Sequence, residues 1–177
     1  MDKRIVIVAL GNRDSGKSTT WYEFFGRVIR TGYKRISFNF REIEIFVKNS
    51  SFEEMGEDIN EDVFVRNASF EEYGDDAKEY FDINNLPKIV FCSVQYTQKG
   101  IETINFFKEH QYYIYIQWLN PGCCDSTSYI DHLKFEESFK DFGEFHIESG
   151  KEKKERVLKI KAFIYNWIRQ KKQLALG

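Results

Sequence analysis

Eight residues near the N-terminus, GNRDSGKS at positions 11–18, are of the types that bind phosphate groups. Their two glycines let the backbone turn sharply, so that consecutive N–H groups can point at one anion. Lys17 is spaced to reach the terminal phosphates, and Ser18 carries a hydroxyl that can ligate Mg²⁺. The predicted nucleotide-binding residues are Gly11, Asn12, Arg13, Asp14, Ser15, Gly16, Lys17, Ser18 and Thr19.

The residues on either side of this loop predict the elements that position it. Residues 3–10 end in an apolar, β-branched run, which is typical of a strand buried on both faces. Between residues 17 and 31 the apolar side chains recur with a period of 3.6, and Gly32 follows them, which predicts a helix ending there. The N-terminus of such a helix adds partial positive charge beside the loop and favours a bound anion.

The pattern G-x-x-x-x-G-K-S between a strand and a helix resembles the Walker A loop of P-loop NTPases. The resemblance covers residues 4 to about 30 and implies a nucleoside triphosphate with Mg²⁺ at residues 11–19. It implies that Lys17 acts in catalysis on the β- and γ-phosphates and that Ser18 ligates the metal. The guanine-recognising motif N-K-x-D of GTPases is absent from the sequence, which favours ATP.

One part of the P-loop pattern is missing. Most P-loop proteins carry an Asp at the end of an apolar strand, where it orients Mg²⁺ or water, but strand 88–94 leads into Gln95 without a carboxylate. Ser93 could hold a magnesium-bound water, and Gln95 could orient the attacking water as a glutamine does in small GTPases; the alternative for Gln95 is an ordinary polar strand end. Other candidate acids are Glu42, Glu44 and Asp125.

The rest of the chain alternates between strand and helix patterns. Further strands are predicted at 35–48, 88–94, 112–119 and 144–148, and further helices at about 99–110, 125–139 and 151–173. This order predicts one α/β domain over residues 1–177, with three layers and a mainly parallel sheet covered by helices on both faces. Ligands of such sheets bind beyond the carboxyl ends of the strands.

Two segments carry strong charge of opposite sign. Residues 51–82 contain twelve acidic and two basic residues, with Ser51 and Ser69 each starting the Ser-x-x-Glu spacing of a capping box, which predicts two short helices. A solvated face is the favoured interpretation of these acids, and a site for a basic partner is the alternative. The helix at 151–173 carries nine basic and two acidic residues between 151 and 172, with one apolar stripe. Packing of that stripe on the sheet, with the lysines solvated or facing the acidic residues 51–82, is favoured over binding of nucleic acid or an acidic partner, and no membrane partner is predicted.

Composition excludes several classes of protein. The net charge of −2 argues against a uniformly basic nucleic-acid-binding protein. No apolar run approaches the roughly 20 residues that cross a bilayer, so no transmembrane helix is predicted. Three cysteines make no disulfide framework, which predicts a reducing, cytoplasmic location. Cys123 and Cys124 are interpreted as small buried thiols, with a strained vicinal pair or a fragment of a metal site as alternatives. The three histidines share no metal spacing.

Three functions are compatible with these features. The leading hypothesis is an ATP hydrolase or switch that works within a larger assembly, with a protein partner or a second copy of the chain. The first alternative is a small nucleotide or metabolite kinase, but no arginine occurs between Arg66 and Arg156 to serve in a phosphate-binding lid. The second alternative is a subunit that binds nucleotide without hydrolysing it.

Overall fold

The computed structural model describes residues 4–26, 28, 35–39 and 60–175. Its centre is a six-stranded sheet in the order β2-β3-β4-β1-β5-β6. Five strands are parallel, and β2 runs antiparallel to β3 at one edge. The strands are β1 (Arg4–Gly11), β2 (Arg35–Asn39), β3 (Asn60–Ser69), β4 (Ile89–Gln95), β5 (Tyr112–Leu119) and β6 (Gly143–Glu148).

Helices cover both faces of the sheet, which confirms the three-layer α/β fold. They are α1 (Lys17–Phe25), α2 (Ala77–Tyr80), α3 (Gln98–Glu109), α4 (Phe135–Phe139) and α5 (Lys153–Ala175), with 3₁₀ turns at Phe70–Tyr73 and Ile83–Asn85. In the described ranges, no helix combines the length and the apolar character that crossing a membrane requires.

Strand β1 explains why the sheet has two cores. Val6, Val8 and Leu10 pack with residues of α3 and α4, whereas the intervening side chains of β1 pack with α1 and α5. Every residue of β1 after Arg4 is buried, as expected of a central parallel strand with helices on both sides. Each fully buried aliphatic side chain there stabilises the fold by about 1.5–3 kcal/mol.

The apolar stripe predicted for the C-terminal helix is confirmed. The buried side chains of α5 in the second core are Val157, Ile160, Ile164, Trp167 and Ile168. Two of its lysines meet carboxylates of other elements: Lys159 lies 2.9 Å from Glu148 on β6, and Lys153 lies 3.5 Å from Glu23 on α1.

Three sequence expectations about element boundaries differ from the structure. Strand β3 crosses the acidic stretch and was not predicted. Helix α1 ends at Phe25, directly before Gly26, rather than before Gly32. The helix predicted at 125–139 is helical only over 135–139, and residues 125–130 have no regular structure.

Local hydrogen bonds explain the missing helical turns. The Asn120 side chain donates to Tyr129 O at 2.6 Å and accepts from Tyr129 N at 2.7 Å. The carboxylate of Asp125 accepts from the backbone N–H of Thr127 at 2.9 Å. Side-chain bonds of this kind offer the backbone an alternative to the helical ladder. The rest of the strand predicted at 35–48, with Glu42 and Glu44, and the helix start predicted at Ser51 lie outside the described residues.

Candidate functional site

The loop between β1 and α1 forms the turn that the sequence predicted. Strand β1 ends at Gly11, and α1 starts at Lys17 after Gly16, whose φ of +99° is a conformation that favours glycine. Lys17 folds back onto the loop, where its Nζ donates to Gly11 O at 3.1 Å and to Asn12 O at 2.8 Å. The side chain is only 6% exposed, so a positive charge is held in a largely dry position beside the backbone.

The electrostatic surroundings of Lys17 come partly from a distant segment. Burial lowers the pKa of the Lys17 ammonium below its usual 10.5, because the charged form loses its hydration. The negative charges of Glu72, Glu71 and Asp14 oppose that decrease in the pKa. Glu71 and Glu72 lie in the turn Phe70–Tyr73 that follows β3, so this turn contributes most of the opposing charge near the loop.

A cavity of about 210 Å³ separates the loop from the end of β3. We name it the Glu72 cavity. It is lined by Asp14, Ser15, Gly16, Lys17, Ser18, Asn67, Ala68, Ser69 and Glu72. Lys17 and the start of α1 contribute positive charge to its lining, and Asp14 and Glu72 contribute negative charge. The hydroxyl oxygens of Ser15 and Ser69 are buried without a hydrogen-bond partner among the described residues.

Gln95 connects the end of β4 to the two glutamates. It is paired with Gly11 in the parallel register of β1 and β4. Its backbone N–H donates to Glu71 Oε2 at 3.1 Å, and its Nε2 donates to Glu72 Oε1 at 3.2 Å. Glu71 also accepts from Thr103 Oγ1 on α3 at 2.6 Å. Gln95 therefore orients Glu72, and it is not itself among the residues that line the Glu72 cavity.

The capping-box prediction at Ser69 is wrong in its contacts. A short 3₁₀ turn does begin after Ser69, but the Ser69 side chain makes no capping hydrogen bond. Glu72 bonds to Gln95 instead of returning to the backbone of Ser69. The register shift between β3 and β4, located between Arg66 and Ser69, directs the following residues toward the loop.

A second cavity, of about 220 Å³, lies against the loop and the segment after β5. We name it the Tyr129 cavity, and it is lined by Asn12, Arg13, Asp14, Ser15, Leu119, Gly122, Cys124, Asp125 and Tyr129. Tyr129 donates its hydroxyl to Asp125 at 2.6 Å, and this bond lowers the pKa of Asp125. The Arg13 side chain is 86% exposed, with its Nε 4.0 Å from Asp14.

The segments after β5 and β6 support the loop between β1 and α1 through backbone contacts. Cys123 N donates to Ser15 O at 3.0 Å, and Gly150 N donates to Pro121 O at 2.7 Å. A Cβ on Gly150 would lie 2.6 Å from Ser15 O, so only glycine permits this close packing.

Arg156 joins α5 to the same region from a fully buried position. Its guanidinium donates to Thr20 Oγ1 at 2.9 Å and to Ser149 O at 2.7 Å, and Thr20 Oγ1 donates to Gly16 O at 3.1 Å. Burial lowers the pKa of Arg156, although the nearby carboxylate of Glu148 raises it. Helix α5 therefore supports the helix that starts at the loop.

Several predicted candidates lie elsewhere. Ser93 is fully buried, and its hydroxyl accepts from the indole of Trp21 at 2.9 Å, so it does not reach the Glu72 cavity. Asp125 lines the Tyr129 cavity. Cys92 is buried as an inert thiol would be, but Cys124 is exposed and Cys123 is half-buried, which corrects the expectation of small buried thiols for that pair.

Glu71 and Glu72 are the residues that sequence reasoning missed. The sequence pattern predicts a solvated acidic face for them, because the strand that precedes them has only three consecutive apolar residues, Val63 to Val65, between charged neighbours. The available signal was that this triplet precedes a Glu-Glu pair by a few residues. In the described part of the chain, no group of three or more His, Cys, Asp or Glu side chains converges as a metal site would.

Comparisons with protein families, with curated proteins and with solved structures found no match for this chain.

Proposed function

We propose that this chain binds Mg²⁺–ATP at residues 11–19 and hydrolyses its γ-phosphate as a slow ATPase or switch. The observation that carries the proposal is that Glu72 lines one cavity together with Lys17 and Ser18. A carboxylate near the phosphate end of the loop was the part of the P-loop pattern that the end of β4 lacked. The segment after β3 supplies such a carboxylate.

The residues around the Glu72 cavity fit a triphosphate and a divalent ion. The loop amides and the start of α1 favour anionic oxygens. The hydroxyl of Ser18 and the carboxylate of Glu72 are hard oxygen ligands that suit Mg²⁺, and the unpartnered hydroxyls of Ser15 and Ser69 can donate to phosphate. When bound, Mg²⁺ neutralises charge on the β- and γ-phosphate oxygens.

Lys17, Glu72 and Gln95 have separate roles in the proposed hydrolysis of ATP. Lys17 leaves its carbonyl partners and binds the β- and γ-phosphates. A water molecule that is hydrogen-bonded to Glu72 attacks phosphorus. Its oxygen forms the new P–O bond, its proton passes to the Glu72 carboxylate, and the bond to the ADP oxygen breaks with its electrons staying on ADP. The Nε2 of Gln95 donates a hydrogen bond to Glu72 and so orients its carboxylate. Gln95 therefore stabilises the transition state of hydrolysis and contributes little to ATP affinity. Among the described residues that line the Glu72 cavity there is no arginine to neutralise charge on the γ-phosphate, so turnover without a partner protein stays well below the roughly 10 s⁻¹ of typical enzymes.

The Tyr129 cavity is the place for the adenosine. It shares Asp14 and Ser15 with the Glu72 cavity, so a nucleotide can extend along the loop from one cavity to the other. Tyr129 and Asn12 supply an aromatic ring and an amide for the base. The sequence 120–125 contains no guanine motif, so ATP binds at least as well as GTP.

The test combines a measurement of binding with two assays of the product. Calorimetry with Mg²⁺–ATP measures affinity, and phosphate release without an added acceptor measures hydrolysis. The variant Glu72→Gln should keep affinity within a fewfold and lose most of the hydrolysis, whereas Glu79→Gln, an exposed acid on α2, should change neither. Formation of ADP only when a nucleotide or metabolite acceptor is added would indicate a kinase. Binding with no product in either assay would indicate a non-hydrolysing subunit, and no binding would overturn the proposal.

A further inference from the structure

Two adjacent thiols touch the loop at the base of the proposed nucleotide site. The Sγ atoms of Cys123 and Cys124 lie 3.2 Å apart, within hydrogen-bonding range of each other. Cys124 is exposed and lines the Tyr129 cavity, whereas Cys123 is half-buried. Burial and the contact with Cys124 raise the pKa of the Cys123 thiol. The two sulfurs therefore differ in access, with Cys124 the first to meet a reagent from solvent.

Cys123 is also part of the support of the loop. Its Sγ–H donates to Asp14 O at 3.1 Å, and its backbone N–H donates to Ser15 O at 3.0 Å. Its Cβ lies 3.3 Å from the position that a Cβ on Gly16 would take. Asp14 has a φ of +58° and Gly16 a φ of +99°, so this stretch of the loop holds a special backbone shape between these contacts.

We propose that Cys123 and Cys124 form a modification site at which a low-molecular-weight disulfide reversibly oxidises the pair and loosens the loop; the effect on nucleotide rests on the function proposed above. The Cys124 thiolate attacks one sulfur of the reagent, forming a mixed disulfide and releasing one thiolate. The Cys123 thiolate then attacks Cys124 Sγ, which closes the Cys123–Cys124 bond and releases the second thiolate. Two protein thiols are oxidised, the reagent's S–S bond is reduced to two thiols, and the two protons end on those thiols.

The closed form is strained, which makes the reaction reversible. Adjacent Cα atoms are about 3.8 Å apart, below the roughly 4.4–6.8 Å of relaxed disulfides. A strained disulfide is more easily reduced and belongs to the labile kind. Closing it removes the S–H that Asp14 O accepts and shifts the backbone that holds Ser15, with Gly150 leaving no free space on the other side. The phosphate cradle then loses the shape that Lys17 and the loop amides need.

The experiment treats the full-length chain with oxidised glutathione and then with dithiothreitol. Peptide mass spectrometry follows the bond between Cys123 and Cys124, seen as a loss of two hydrogens from the peptide that contains both residues. Hydrogen exchange of the amides of residues 12–17 follows the loop without any nucleotide. Calorimetry then measures Mg²⁺–ATP affinity in the oxidised and re-reduced protein.

We expect the linked peptide, faster exchange in residues 12–17 and a roughly tenfold loss of ATP affinity, the effect of about one hydrogen bond, all reversed by dithiothreitol. Cys124→Ser should show no linked peptide and no response to the reagent, and Cys92→Ala, which changes a fully buried thiol, should respond like the natural chain. Absence of the linked peptide, or a linked peptide with unchanged exchange in residues 12–17, would overturn this inference. If the reduced protein binds no ATP, the proposed function fails, while the mass and exchange measurements still decide this one.

Discussion

Lys17 and Glu72 line the same cavity, although neither forms a hydrogen bond to the other in the structure. Lys17 is largely buried and is held by two loop carbonyls, whereas Glu72 is exposed and accepts a hydrogen bond from Gln95. A buried charge that retains only neutral partners keeps part of its desolvation cost. A bound phosphate group gives the buried Lys17 ammonium an anionic partner and recovers that cost, which makes Lys17 the centre of the proposed site.

Replacing Lys17 should separate binding from folding. Lys17→Ala removes the charge that the phosphates meet, and charge-assisted hydrogen bonds contribute roughly 1.5–3 kcal/mol each, so ATP affinity should fall at least about tenfold. Calorimetry measures the affinity, and thermal unfolding checks that the fold remains. Lys99→Ala on α3, an exposed lysine, should leave affinity unchanged. Equal affinity of Lys17→Ala and the natural chain would remove the nucleotide assignment.

The lowered pKa of Lys17 predicts a pH dependence of stability. The folded chain gives up this proton more easily than the unfolded chain, whose lysine titrates near 10.5. The cost of burying the charge is therefore present below the folded-state pKa and is relieved as the pH rises from that value toward 10.5. Urea unfolding should show the free energy of unfolding of the natural chain rising relative to that of Lys17→Met over this alkaline interval. Parallel pH profiles for the two proteins would contradict a lowered pKa.

Gln95 should matter to turnover more than to binding. Gln95→Ala removes the donor that orients Glu72, so phosphate release should fall about tenfold while ATP affinity changes little. Rates and calorimetric affinities are compared with those of Gln98→Ala, an exposed residue at the start of α3. If Gln95 only ends a strand, its substitution will be neutral in both measurements.

The elements divide into those that form the loop and those that hold it. Strand β1 and helix α1 make the turn, while β3 and β4 carry Glu72 and Gln95 to one side of it. The segments after β5 and β6 pack below the loop through Cys123 and Gly150, and α5 adds the buried Arg156. The loop therefore depends on packing from helix α5 at the other end of the chain.

The packing of α5 predicts a stability difference along one helix. Ile164 is fully buried, so Ile164→Ala should lower the free energy of unfolding by about 2–5 kcal/mol through lost apolar contact and a cavity. Leu158 lies on the same helix but is 53% exposed, so Leu158→Ala should change it by no more than about 0.5 kcal/mol. Chemical denaturation of both variants measures the difference. Similar small effects would mean that α5 is not packed on the sheet.

At the scale of the whole molecule, part of the excess positive charge of α5 is neutralised by carboxylates on other elements. Lys159 pairs with Glu148, Lys153 with Glu23, and Arg156 is buried under the loop. These contacts neutralise part of the positive charge of α5 within the protein, and the net charge of the chain is −2. A polyanion would have to displace carboxylates that already lie close to these lysines.

We therefore expect weak binding of nucleic acid. Gel-shift measurements with a short DNA and a short RNA at low salt should show no defined complex at micromolar protein, because Lys153 and Lys159 already pair with carboxylates of the protein. Lys171 and Lys172, at the end of the helix, are the control positions to neutralise if a shift does occur. A complex whose affinity falls steeply with salt would show that α5 is a nucleic-acid surface.

Local sequence was enough to predict the parts of this protein whose signals are continuous along the chain. The glycine loop, the buried strand before it, the helix after it and the apolar stripe of α5 all depend on neighbours within one turn or one strand, and each is confirmed as an element of the structure. The mainly parallel sheet followed from the alternation of such elements.

The acidic end of the site could not be predicted in this way. Glu72 reaches the loop because β4 lies between β1 and β3 and because the register of β3 shifts before Ser69. Both facts depend on which strands pair. Strand pairing is decided jointly by residues that lie far apart in the sequence. The same is true of Cys123, whose neighbours from Asp14 to Gly150 meet only after the sheet has formed. Local patterns specify an element, whereas strand order and loop packing specify which side chains share a cavity, and that depends on burying the whole core at once.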